Sequence, residues 1–359
     1  MENLKKIRLS EGAWEYHAPV VFGSPRDAAE KLAELAKFLK GEGAQVASLE
    51  AFAPKKYAKV LDEFKVLAGA AEAPAQHVLP LEENSQPELA GVHVIAVKGA
   101  GVEFKSTKNN TKLALYKCGG DEYCRSFGVC LPENGMEGAP YTKAVFNEMA
   151  EALRLGGFKF ADLARTWFYN RDILAWYADF NKGRTEFFNE NSVFSALLPA
   201  STGIGSPNPA GTRIQAGLIA VKDAPKNGKI YEIESPLQCG ATKYGSSFSR
   251  AIEMKFGTYR RVMVSGTASI APTGETLYFG DIKRQVELTM RVIGAILKSR
   301  GMDFSDTTRA VVYCMKPEYY AAFLDWQKEN AKIAHVPSYS TVCRSDLMFE
   351  VELDAAVNL

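Results

Sequence analysis

The feature that most constrains this chain is an internal repeat, because one helix–turn–strand pattern occurs twice at an offset of 144 residues, from Gly157 to Gly301. Besides this glycine pair, the identical residues are Phe160 and Phe304, Asp162 and Asp306, Arg165 and Arg309, and Tyr169 and Tyr313. An amphipathic helix pattern precedes each copy and another follows it. The repeat therefore indicates a duplicated structural unit.

The periodicity predicts the same elements in both copies. Helices are predicted over residues 142–155 and 173–181 in the first copy and over 285–297 and 317–330 in the second. A strand is predicted between the helices of each pair. Each copy then alternates strands and helices, so the fold class is α+β, with two units that each contain a mixed sheet packed by two helices on one face.

Residues before the repeat predict further packing elements. Ser24 and Pro25 begin a helix that ends at Gly41, and a second helix over residues 54–68 ends before Gly69. Residues 197–206, LLPASTGIGS, are glycine-rich and are predicted to form a structural turn. They lack the Gly-Lys-Ser/Thr of a phosphate-binding loop.

Composition and charge narrow the function classes. The net charge of +1 provides no basic field for nucleic acid or an anionic membrane, and no apolar run approaches about 18 residues. Six cysteines without a Cys-x-x-Cys motif, and four scattered histidines, predict reduced thiols, a cytoplasmic location, and no metal or cofactor. Chemistry is therefore expected from carboxylate, arginine and tyrosine side chains.

The closing segment, residues 347–352, carries two carboxylates on one face of a predicted strand. Glu350 and Glu352 alternate with Phe349 and Val351. A solvated surface face is a common reason for such a pair, and we predict it for Glu352. Arg344 lies just upstream, and an arginine near an acid suits an anionic substrate, so Glu350 is the candidate catalytic acid.

An ordered set of motifs in the second copy resembles the YjgF/Rid family. These motifs are SGTASI at 265–270, PTG at 272–274, Gly280-Asp281, Gln285, Thr289, Gly301 and Val312-Tyr313. The resemblance covers about residues 251–355. It implies the chorismate-mutase-like fold and an assembly of three such units with ligand clefts between neighbours.

A narrower resemblance, to the chorismatases, covers most of the chain. It rests on ARTWFY at 164–169, Asp172-Ile173, Tyr177, Phe180-Asn181, Arg184, LPASTGIG at 198–205, SFSRA at 247–251, Cys343-Arg344 and Glu350. The family joins two Rid-like halves in one chain. The resemblance thus implies a degenerate N-terminal domain with extra helices over 1–210 and a C-terminal domain with the site over 211–359.

The chorismatase resemblance also implies an activity, which is removal of the enolpyruvyl group of chorismate to give pyruvate and a cyclohexadiene diol or hydroxybenzoate. Protonating an enol ether carbon requires an acid that stays neutral near pH 7, and the essential acid of the family falls at Glu350. The other expected site residues are arginines for the substrate carboxylates, groups that orient the ring, and a pocket-lining thiol: Arg250, Arg344 and Arg184; Tyr244 and Ser249; and Cys343.

Other functions and assemblies remain open on these residues. A Rid-like enzyme or binding protein for another small carboxylated metabolite is one alternative, and a non-catalytic interaction protein is another. The chain is expected to form a homotrimer or a pseudo-trimer.

Overall fold

The structure is a computed structural model that describes residues 3–222 and 229–359, apart from the side chain of Tyr244. Within this part of the chain the strands form three sheets, each with two helices between its strands. We call these assemblies unit 1 (residues 5–98), unit 2 (103–222) and unit 3 (230–358). None of the helices described there is long and apolar enough to span a membrane.

Unit 1 contains the two helices predicted ahead of the repeat. Its elements are β1 (Lys5–Ser10), β2 (Ala13–Val21), α1 (Pro25–Glu42), β3 (Gln45–Phe52), α2 (Ala58–Leu67), β4 (Ala75–Val78) and β5 (Gly91–Lys98), with strand order β1-β2-β5-β3-β4. Ser24 caps α1 by accepting a hydrogen bond from the Asp27 N–H. The helix ends at Gly43, whose φ of 66° is left-handed, so it passes the predicted stop at Gly41.

Unit 2 contains the first copy of the repeat. Its elements are β6 (Glu103–Ser106), β7 (Lys112–Cys118), β8 (Asp121–Cys130), α3 (Gly138–Leu155), β9 (Leu163–Asn170), α4 (Ile173–Glu190), β10 (Ala200–Ile204) and β11 (Ile214–Lys222), with strand order β10-β9-β11-β8-β7-β6. The predicted glycine-rich turn is wrong over β10, which pairs in parallel with β9. The distant partner strand satisfies the backbone groups of β10, and a local sequence pattern does not show such a partner.

Unit 3 contains the second copy. Its elements are β12 (Ile230–Ile233), β13 (Ala251–Lys255), β14 (Tyr259–Ala268), α5 (Ile282–Lys298), β15 (Thr307–Cys314), α6 (Tyr320–Glu329), β16 (Val336–Tyr339) and β17 (Phe349–Asn358), with strand order β12-β13-β14-β17-β15-β16. The repeat relates β9 to β15. In unit 2 the strand between β8 and β9 is β11, and in unit 3 the strand between β14 and β15 is β17.

The three sheets turn their inner faces toward one another, and each keeps its own helices on the opposite face. Phe52, Tyr169 and Tyr313 meet at the centre, one from each unit. The Phe52 ring centroid lies 5.8 Å from that of Tyr169 and 6.2 Å from that of Tyr313. The two tyrosine hydroxyls are 3.1 Å apart. We call this shared interior the axial core.

The α+β class and the packing of helices on one sheet face are confirmed. The expected number of units is wrong, because the described residues form three sheets, and the extra helices at the N-terminus belong to a complete first unit. The division of the chain at residue 210 stays a prediction. In the sheets, β11 lies beyond that point and pairs with β8 and β9 of unit 2.

Candidate active site

A cavity of about 220 Å³ lies between units 2 and 3. Helix α4 and strand β10 form its unit 2 wall, and residues of β14, β17 and the segments before β13 and β17 form its unit 3 wall. Among the predicted site residues, the cavity brings together Glu350, Arg250, Arg344, Arg184 and Cys343. These residues are far apart in sequence, so the junction of the two units is what assembles the site.

Glu350 is a buried carboxyl group on the wall of this cavity. It lies on β17, between Ala268 of β14 and Tyr313 of β15. Glu350 is only 5% exposed, and this burial raises the pKa of its carboxyl group to about 8. The nearby Glu352 carboxylate adds to the increase. Arg250 and Arg165 oppose that increase. Glu350 is therefore mainly in its neutral acid form at pH 7.

Gly266 makes room for the Glu350 carboxyl. It lies where the pairing of β14 with β17 shifts register between Val264 and Thr267. A Cβ atom at this glycine would overlap with Glu350 Oε1 and would lie 3.2 Å from Thr202 Cγ2. Glycine at this position therefore lets the carboxyl approach the backbone closely.

Of the three predicted arginines, Arg184 lies on the unit 2 wall of the cavity, and Arg250 and Arg344 lie on the unit 3 wall. Arg250 Nε donates to the Cys239 carbonyl at 2.9 Å, and Arg344 Nη1 donates to the Gly274 carbonyl at 2.8 Å. Arg184 Nη2 donates to Asn181 Oδ1 at 2.5 Å. These bonds hold the guanidinium groups at the cavity, where they can bind carboxylates.

Phe248 packs between two of these arginines. Its ring centroid lies 5.5 Å from Arg184 Cζ and 5.9 Å from Arg250 Cζ. Arg184 also lies over the Phe180 ring at 5.3 Å. Cation–π contact of this kind restricts the orientation of the guanidinium groups.

The remaining predicted residues have different positions. Cys343 lines the cavity, and burial, followed by the Glu350 carboxyl, raises the pKa of its thiol to about 12. Ser249 is buried but is not part of the cavity lining in the described residues; its N–H donates to the Pro199 carbonyl at 3.0 Å. The Tyr244 side chain lies outside the described part of the structure, so its expected role stays a prediction.

Sequence reasoning did not select several polar and aromatic residues that line the cavity, namely Tyr177, Asn181, Ser201, Ser246 and Phe248. Most of them lie in the same motifs that carry the chorismatase resemblance. Motif membership was therefore the available signal, whereas the position of each side chain depends on how α4 and β10 meet unit 3.

Glu352 is not solvated, contrary to prediction, because its residue is 0% exposed in the axial core. Its Oε2 accepts hydrogen bonds from Arg165 Nη2 at 2.9 Å and from Trp167 Nε1 at 2.8 Å. Arg309 Nη2 lies 2.7 Å from Oε1. The strand face that Glu350 and Glu352 share is covered by neighbouring units. Strand alternation alone does not show this cover, so the predicted solvent exposure of Glu352 is wrong.

Comparisons with known proteins agree with this architecture. Residues 242–358 match the protein family described as Endoribonuclease L-PSP. A crystal structure of a chorismatase superposes with a TM-score of 0.67 at 20% sequence identity, covering 98% of this chain and 99% of that chain. The overall fold is therefore that of the superposed chorismatase structure, and the family match lies within unit 3.

Sequence relatives define the group more closely. The chain is 28% identical over 253 residues to a chorismatase of Streptomyces rapamycinicus, an alignment that covers 63% of this chain and 73% of the relative. It is 29% identical over 242 residues to a 3-hydroxybenzoate synthase of Streptomyces hygroscopicus, covering 59% and 68%. The chain is therefore similar in sequence to chorismatases and in fold to a chorismatase.

Proposed function

We propose that this chain cleaves the enolpyruvyl ether of chorismate and releases pyruvate, with Glu350 as the general acid. The observation that carries the proposal is a buried carboxyl group, with its pKa raised to about 8, in a cavity that is also lined by arginines. The names of the relatives support the same substrate, since they include chorismatases and a 3-hydroxybenzoate synthase.

The proposed reaction begins with proton transfer from Glu350 to the methylene carbon of the enolpyruvyl group. A C–H bond forms, the C=C electron pair supplies it, and the ether carbon becomes an oxocarbenium ion. Water then adds to that carbon and returns a proton to the Glu350 carboxylate, which gives a hemiketal. Its bond to the ring oxygen breaks, the hemiketal hydroxyl proton passes to that oxygen, and the products are pyruvate and a cyclohexadiene diol. Where a hydroxyl of the substrate captures the ion instead, pyruvate and hydroxybenzoate are the products, with no net consumption of water.

Binding in the proposed complex depends on the arginines. Chorismate carries two carboxylates, and guanidinium groups bind carboxylates through charge-assisted hydrogen bonds. Arg250 and Arg344 reach the cavity from unit 3 and Arg184 reaches it from unit 2. A substrate held from both sides would place its enolpyruvyl group beside Glu350, and the apolar side chains of Ala268 and Ile270 would limit water around the acid.

The test is pyruvate release from chorismate by the purified chain, compared with Glu350→Gln. Loss of the general acid is expected to reduce kcat by about 10²–10⁴-fold. Glutamine has the shape of the neutral carboxyl, so the melting temperature at pH 7 should hardly change. Chromatography of the ring product separates the diol from hydroxybenzoate.

Two results would contradict the proposal in different ways. Equal pyruvate release by the original chain and Glu350→Gln would remove Glu350 from the mechanism. Absence of pyruvate from the original chain would remove chorismate cleavage. If chorismate then still raised the melting temperature, a binding function would replace the enzymatic one.

A further inference from the structure

A second carboxylate lies close to Glu350 on the same strand face. Glu352 is two residues along β17, which places its Cα about 7 Å from that of Glu350. Its residue is fully buried, Arg165 and Trp167 donate hydrogen bonds to its Oε2, and Arg309 Nη2 lies 2.7 Å from its Oε1. Glu352 therefore forms a fully buried ion pair with Arg165.

Arg165 connects Glu352 to the floor of the cavity. Its Nη2 donates both to Glu352 Oε2 and, at 2.8 Å, to Thr202 Oγ1. The Thr202 hydroxyl oxygen also accepts a hydrogen bond from the Gly266 N–H at 3.1 Å. The Arg165 guanidinium group therefore contacts both Glu352 and Thr202 of β10, and Thr202 in turn contacts Gly266, which lies against the Glu350 carboxyl.

Charged and titratable groups face Glu350 from each element packed around it. Its own strand carries Glu352, the neighbouring strand β15 carries Tyr313, and β9 carries Arg165. The cavity wall adds Arg184 on α4, Arg250 on the segment before β13, and Cys343 and Arg344 on the segment before β17. Of these, Glu352 is the carboxyl group. The others are cations or buried hydroxyl and thiol groups.

Equivalent positions in units 1 and 2 lack a carboxylate. In unit 3, Glu352 pairs with Val311 of β15. The equivalent residue in unit 2 is Gly217, which pairs with Trp167 of β9. The equivalent residue in unit 1 is His93, which pairs with Glu50 of β3. Among these three equivalent positions, the carboxylate lies in unit 3, which also carries Glu350.

We propose that Glu352 is a positioning residue for the reaction, because its buried negative charge keeps the Glu350 carboxyl protonated and its bond to Arg165 fixes that charge in place. This role rests on the proposed function, since it concerns the acid of that reaction. Arg165 is a positioning residue as well. It hydrogen-bonds to Glu352, and because it is a cation near Glu350, it reduces the effect of Glu352 on the proton affinity of the Glu350 carboxyl.

The test is a titration of Glu350 without substrate. Infrared difference spectra between each chain and its Glu350→Gln form report the protonated carboxyl of Glu350 as a function of pH. Glu352→Gln is expected to lower the midpoint by about one pH unit or more, a tenfold weaker affinity for the proton, because Arg165 then acts on Glu350 without its counter-ion. The kcat/KM profile for chorismate should move in the same direction.

Glu50→Gln is the matched control. Glu50 is an equally buried acid that pairs with Arg309, and it is not among the charges that affect Glu350. It should destabilise the chain to a similar degree and leave the Glu350 midpoint unchanged. If Glu352→Gln destabilises the chain but does not move that midpoint, Glu352 has only a structural role and the inference is wrong.

A second variant serves if Glu352→Gln does not fold. Arg165→Gln removes a cation near Glu350, so the midpoint should rise, and an unchanged or lower midpoint would contradict the inference. Both titrations are made without chorismate. A chain that fails to cleave chorismate would therefore overturn the proposed function while the interaction between Glu350 and Glu352 is still measured.

Discussion

The junction between units 2 and 3 contains the cavity, whereas the corresponding junction between units 1 and 2 is closed by hydrogen bonds. Strand register identifies the corresponding residues. Glu350 lies opposite Tyr313 of β15, and Gln215 lies opposite Tyr169 of β9, which is the repeat partner of Tyr313. Gln215 Nε2 donates to the His77 carbonyl at 3.0 Å, and its Oε1 accepts from the His77 N–H at 3.3 Å. The amide is thus used to hold β4 in place.

The third junction differs again. Gly91 lies opposite Phe52 of β3, which occupies the same central position as the two tyrosines. A Cβ atom at Gly91 would lie 2.8 Å from Val336 Cγ1 of β16. Val336 therefore fills the space that a longer side chain at Gly91 would take. The three equivalent positions are thus occupied by an acid (Glu350), an amide (Gln215) and a glycine (Gly91).

The contacts between strands of neighbouring units differ in the two junctions. In the closed junction the backbone of β4 lies directly on Gly128 of β8, where a Cβ atom would overlap with the Ala75 carbonyl oxygen. In the junction with the cavity, β10 contacts β14 through hydroxyl groups, with the Ser201 N–H donating to Ser265 Oγ at 2.9 Å. Side-chain spacers leave room for a ligand, and a directly apposed backbone does not.

The largest expected effect comes from adding one methyl group at each junction. Gly266→Ala should displace the Glu350 carboxyl and reduce kcat/KM for chorismate by about 100-fold, because small displacements of a reacting group are costly. Gly128→Ala should instead destabilise the chain by about 2 kcal/mol, since its φ of 75° is left-handed and a carbonyl oxygen blocks the Cβ. Pyruvate release and urea unfolding measure the two quantities.

These two variants serve as controls for each other. Gly128→Ala should retain the activity of the original chain in its folded fraction, and Gly266→Ala should unfold at nearly the same urea concentration as the original. If both lost activity to the same extent, the contrast between the two junctions would not hold.

A smaller effect is expected from pH alone. In the proposed reaction Glu350 acts in its protonated form, and its pKa is raised to about 8, so kcat/KM should be level below that pH and should fall about tenfold per unit above it. A pH series of initial rates checks this. A rate that instead increased with pH through this range would indicate a base, and Glu350 as acid would be excluded.

The smallest expected effect is at the closed junction. Gln215→Met removes the bonds to the His77 backbone at similar volume and should lower the free energy of unfolding by about 1 kcal/mol. Urea unfolding measures it, and chorismate cleavage should be unchanged. A loss of activity comparable to that of Gly266→Ala would mean that the junction of units 1 and 2 also takes part in the reaction.

Much of the fold was predictable because local pattern sets it. The repeat at an offset of 144 residues located β9, β15 and their flanking helices, and Ser24 located the start of α1. The sequence repeat does not include unit 1, because its five strands follow the order of five strands in units 2 and 3 without the repeated side chains. Ser48, for example, occupies the position of Arg165 and Arg309 next to the irregular pairing of its strand.

The sequence by itself determined the α+β class, the position of Glu350 on an alternating strand and the motifs that supply Arg184, Arg250, Arg344 and Cys343. Alternation could show that Glu350 and Glu352 share a face, but not what covers it. Only the tertiary structure decided that Glu352 lies in the axial core and Glu350 at a cavity between units. The physical reason is that a side chain's environment depends on the neighbouring sheet, whose residues come from distant parts of the chain.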